Sequence, residues 1–118
     1  MKMENTGLEG ITIDLSRLDV IMEEIGLVRA GQWDYERVTY DRKIDIKDEV
    51  FYLRVQGFAV EGEVDSRHAL IKLITPLLGK HYYPHGVEYG ENEHFPSAVV
   101  NTSNRLLKQV SEAIQQVQ

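Results

Sequence analysis

Apolar positions change period along this chain, and each change marks an element. Leu15, Leu18, Ile21, Met22 and Ile25 recur at steps of three and four residues, the spacing that stacks side chains on one face of a helix. Asp14 precedes the run as an N-cap, Ser16 is a rival cap two residues on, and Gly26 follows as a C-terminal stop. Ahead of this helix, Leu8 to Ile13 alternates weakly. That predicts a short strand after a flexible polar tail over residues 1–7.

From Leu27 to about Tyr83 the period is two. Val38, Tyr40, Ile44 and Ile46 alternate with Thr39, Asp41, Lys43 and Asp45, as in a half-buried strand whose polar set faces water. Val50 to Val60 is apolar on both parities, which predicts a central strand covered on both faces or strongly twisted, with Gly57 marking a bulge or bend. Ala69 to Leu78 forms a further strand, ended or bent by Pro76. The connections are too short for crossover helices, so the pairing is antiparallel. His81 to Pro96 reads as a polar loop. Ser97 or Asn101 then caps a second helix with the stripe Leu106, Leu107, Val110, Ala113, Ile114 and Val117. The order β-α-β-β-β-β-α predicts an α+β fold: one antiparallel sheet with two helices on one face.

The segment Gly31 to Ile46 holds the only Trp and reads as a hairpin. With Glu36 and Arg37 as its turn, Tyr35 pairs with Val38, Trp33 with Tyr40 and Gly31 with Arg42. One face then carries Trp33, Tyr35, Val38, Tyr40 and Ile44, and the other Gln32, Asp34, Thr39, Asp41 and Lys43. Arg42 falls on the aromatic face. Either it lies over Trp33 or Tyr40 or snorkels to the sheet edge, or it forms an anion pocket with Arg54 that grips a carboxylate or phosphate.

Composition narrows the chemistry. The 118 residues fit a single domain with one core, and the absence of Cys removes disulfides, thiolate metal sites and thiol catalysis. MKMENTGLEG lacks the apolar core of a secretory signal, and no apolar run approaches the roughly 20 residues that span a bilayer. The expected compartment is the cytoplasm. The formal charge is −6 and the pI about 5.2, with the bases scattered singly. This argues against nucleic acid and against anionic membranes as partners.

His81, His85 and His94 share one loop with Glu88, Glu91 and Glu93, residue types that suit a divalent metal. His81 and His85 have ligand-pair spacing only on a helix, and Pro84 and Gly86 oppose one there, so a polar surface loop is the expectation. No nucleophile–base or phosphate-loop motif is present. Asp34, Asp41 and Asp45 are explained by strand alternation alone. The aromatic set Trp33, Tyr35, Tyr40, Phe51, Tyr52 and Phe58 reads as core before it reads as the lining of a cavity.

Three stretches resemble the YugN-like family of small bacterial proteins. They are Gly31 to Tyr35 with Tyr40 to Ile44, Leu53 to Val55 with Phe58 to Asp65, and Thr75 to Leu78 with His81 and Tyr82. Together they cover about residues 27–83. Gln56 and Gly57 stand where the family pattern has a Pro, and the segment after His85 matches poorly. The resemblance implies a β-α-β4-α arrangement similar to the TATA-binding-protein-like class of folds. It implies no activity, cofactor or catalytic residue.

The functional expectation is therefore a non-catalytic binding domain for a small ligand, an anionic one among the candidates, or for a protein partner, with homodimerisation through open sheet edges. The candidate ligand residues are Trp33, Tyr40, Arg42, Arg54 and His81. The alternative is a small enzyme or metal protein built on His81, His85 and His94 with nearby acids.

Overall fold

The computed structural model describes residues 1–31, 36–66, 68–91 and 93–118. Its elements are β1 (Thr12–Asp14), α1 (Leu15–Ile25), β2 (Val28–Arg29), β3 (Arg37–Ile46), β4 (Glu49–Glu63), a 3-10 turn (Val64–Ser66), β5 (His68–Leu73), β6 (Leu77–His81), β7 (Val87–Glu88) and α2 (Ser97–Gln116). The α+β reading stands: two helices and one antiparallel sheet ordered β1-β5-β4-β3-β2.

The long strand β4 organises the sheet. One of its edges pairs with β3 over Glu49 to Phe58. Its other edge is shared, with β6 beside Val50 to Arg54 and β5 beside Gly57 to Glu63. The stretch Ala69 to Leu78 is thus two strands, parted around Pro76, which has no N–H for a ladder. The register shift in β4 falls between Ala59 and Glu61. At Gly57 a Cβ would stand 2.5 Å from Ile71 Cγ2 and 2.9 Å from the Lys72 carbonyl, so glycine there permits the close approach of β5.

α1 begins at Asp14, whose carboxylate accepts a hydrogen bond from the Ser16 hydroxyl, so the two candidate caps are bonded to each other. It ends at Gly26, left-handed at φ 100°, where the Gly26 and Leu27 N–H groups both donate to the Met22 carbonyl. Ser97 is the first residue of α2, which Pro96 precedes without a side-chain cap. The helices pack on the sheet face formed by Val38, Tyr40 and Ile44 of β3, Phe51, Leu53 and Val55 of β4, and Ile71 and Leu73 of β5. Leu106, Leu107, Val110 and Ile114 of α2 join this core as their spacing predicts.

The opposite face of the sheet is polar and half-covered rather than simply solvated. Directly paired residues bond across β3 and β4: Arg54 holds Asp41 through Nε at 2.8 Å and Nη2 at 3.0 Å, and Gln56 Nε2 donates to Thr39 Oγ1 at 3.0 Å. Tyr89, just after β7, lies flat on Gly79, where a Cβ would come within 2.6 Å of its ring, and also against the Arg54 guanidinium. Residues 1–3 lie along β6 rather than forming a free tail. Lys2 bridges Leu77, the Met3 N–H donates to the Pro76 carbonyl, and Met3 is buried.

A candidate ligand cleft between α1 and β2

Asp19 lies on the same helical row as Leu15 and Met22, four residues after one and three before the other, and both neighbours are fully buried. An acid on that row reaches the border of the core and needs partners there. Two strands supply them. In β3 the alternation that buries Val38 and Ile44 also turns Tyr40 inward, and its hydroxyl donates to Asp19 Oδ1 at 2.5 Å. In β2, Arg29 sits directly opposite Tyr40, so their side chains share a face, and Arg29 Nη1 donates to Asp19 Oδ2 at 3.0 Å.

These three residues form the inner wall of an open cleft of about 770 Å³. Ser16, Val20 and Glu23 line it from α1, Gly26 and Leu27 from the turn, and Val28 from β2. Val20 is 54% exposed and Val28 71%, an apolar rim beside the charged wall. The Tyr40 ring is buried while Asp19 and Arg29 remain about one-third open at 29% and 34%. Burial raises the Tyr40 pKa far above that of an ordinary phenol, and the hydrogen bond to Asp19 adds to the effect. At neutral pH the Tyr40 hydroxyl therefore keeps its proton and donates it to the hydrogen bond with Asp19. Arg29 offsets the Asp19 charge and keeps further N–H donors toward the cleft.

Of the described residues expected to bind a ligand, Tyr40 alone lines this cleft. Trp33, with the rest of 32–35, lies outside the described residues. Arg42 does not face Gly31, because the register pairs Arg29 with Tyr40 and Val28 with Asp41, four residues away from a turn at Glu36 and Arg37. A longer connection is the physical reason, since neither of those residues favours a two-residue turn. Arg42 is exposed, and its Nη1 donates to the Gly26 carbonyl at 3.2 Å. A cation there meets the negative end of the α1 dipole. Arg42 pairs with Leu53, and Arg54 with Asp41 one position along. The two arginines therefore lie on opposite faces and form no common fork.

His81 ends β6 edge-on to Tyr52, with ring centroids 6.2 Å apart, on the far side of the sheet from the cleft. His85 and His94 are exposed in the following loop. Among the described residues no three His, Cys, Asp or Glu side chains converge to hold an ion. Asp19 and Arg29 are the site residues that periodicity passed over. The signal for Asp19 was an acid on the Leu15–Met22 row; for Arg29, whose partner is ten residues away across a turn, there was none.

A helix-covered antiparallel sheet defines a small α+β domain. The chain belongs to the YugN-like family, whose model matches residues 3–115. It is 56% identical over 118 residues to the uncharacterized protein YlbA of Bacillus subtilis strain 168, covering all of this chain and 98% of that one. It is 33% identical over 73 residues to YugN of the same organism, 62% of this chain and 54% of that. The crystal structure of the uncharacterized conserved protein YugN from Geobacillus kaustophilus HTA426 superposes with a TM-score of 0.88 at 61% identity, covering 99% of this chain and 97% of that chain.

Proposed function

We propose that this protein is a non-catalytic, cytoplasmic binding domain whose site is the α1–β2 cleft. The observation that carries this reading is the Asp19 carboxylate, fixed from two sides by Tyr40 and Arg29 yet one-third open to a cleft rimmed by apolar side chains. A concave site with a few convergent polar groups on an apolar wall suits a small amphipathic molecule. Its polar head would meet the open edge of Arg29 and Asp19, and its apolar body Val20, Leu27 and Val28. A carboxylate or phosphate head fits Arg29, and the nearby Glu23 disfavours a highly charged one.

The test is a titration of the 15N-labelled protein with a panel of small metabolites bearing apolar bodies and polar or anionic heads. The expected outcome is saturable shifts confined to residues 16–29 and 40, lost in Val28→Asp. Binders that shift only residues outside this set, or a panel without any binder, would count against the cleft.

A further inference from the structure

On the other side of Val20 a second groove runs between α1 and the end of α2. It has a volume of about 520 Å³ and includes Arg17, Val20, Ile21, Glu24, Ala113 and Val117 in its lining. Val20 therefore stands as an exposed ridge beside an apolar furrow on the same surface. The charges around it are ordered. Arg17 lies one turn before Val20 and Glu24 one turn after, with Glu23 adjacent. The Arg17 guanidinium is held at the furrow mouth by donating to the Val117 carbonyl at 2.8 Å.

A surface of this kind complements itself. Two copies of α1 laid antiparallel, with a two-fold axis beside Val20, set each Arg17 opposite the other copy's Glu24, and each Val20 ridge against the other's furrow. Like charges on both sides of Val20, two acids for example, would repel each other in that arrangement. We propose that this α1 face is a homodimer interface, with a second copy of the chain as its occupant and two symmetry-related Arg17–Glu24 pairs fixing its register. The ligand cleft shares Ser16 and Val20 with this surface, whereas Arg17 and Glu24 line the furrow and not the cleft. Substitutions at Arg17 and Glu24 therefore test the dimer separately from the binding reading.

Sedimentation velocity from micromolar to near-millimolar protein tests it. The wild type is expected to move from the 13.6 kDa monomer toward twice that mass. Arg17→Glu and Glu24→Arg each juxtapose like charges twice, and each is expected to raise the dimer dissociation constant by about tenfold or more. An equal mixture of the two variants restores opposite charges at both contacts and is expected to associate as strongly as wild type. Far-UV circular dichroism matching wild type establishes that each variant is folded. A wild type that stays monomeric throughout would overturn the proposal. So would variants that associate unchanged, or a mixture no stronger than its components.

Discussion

Tyr40 connects two properties of the chain that sequence treats separately. Alternation along β3 makes it a core residue, and its ring is buried as that pattern requires. Its hydroxyl nevertheless ends on Asp19 of α1, 21 residues earlier in the chain. No local period encodes such a contact, because it depends on how α1 crosses the sheet. Removing the hydroxyl with Tyr40→Phe keeps the packing and deprives Asp19 Oδ1 of its donor. Hydrogen bonds to charged groups are worth about 1.5–3 kcal/mol. With Asp19 partly open to water, the loss expected in a urea melt is about 1–2 kcal/mol. An unchanged midpoint would mean that water replaces the phenol at no cost. Arg42 teaches the converse lesson: its place on the inward parity of β3 was legible, but its partner, the end of a helix, was not.

The two helices and the long strands were readable because their apolar patterns persist over ten or more residues. The turn that joins β3 to β4 was not. Ile46 pairs with Glu49, leaving Lys47 and Asp48 as a two-residue turn with φ of 48° and 67°. Such turns normally announce themselves with Asn-Gly or Asp-Gly. Here neither residue is glycine, so the pattern gave no turn at this point, and the Glu36–Arg37 register was set without it. A side chain held in the left-handed region costs about 1 kcal/mol relative to glycine. Asp48→Gly is accordingly expected to raise stability by up to about 1 kcal/mol, read as a higher denaturation midpoint with an unchanged fold. A lower midpoint would show that Asp48 contributes more through its side chain than its backbone costs. Pro76 was the better signal: it marked an end or a bend, and the chain does leave β5 and begin β6 there.

At the scale of the whole molecule, two phenols give the fold a pH limit. Burial raises the pKa of Tyr40 and of Tyr89 above the ordinary value of about 10. Above that value the unfolded chain releases these protons while the folded chain retains them, so unfolding is favoured as pH rises. The stability tied to the neutral phenols is complete below about pH 10 and declines on further titration. Urea midpoints measured between about pH 8 and pH 11 are expected to fall, with a shallower slope in Tyr40→Phe. Identical slopes in the two proteins would remove Tyr40 from the account.

The uneven sharing of strand edges has its own consequence. The outermost strands of the ladder are three and two residues long, and β6 is flanked outside by Lys2 at one end and β7 at the other. Among the described residues the longest run without an outer neighbour is the end of β3, and Arg42, Lys43 and Asp45 stand along it. Amyloid growth needs several consecutive open backbone positions and low local charge. Along this stretch three charges in four residues oppose the approach of a foreign strand.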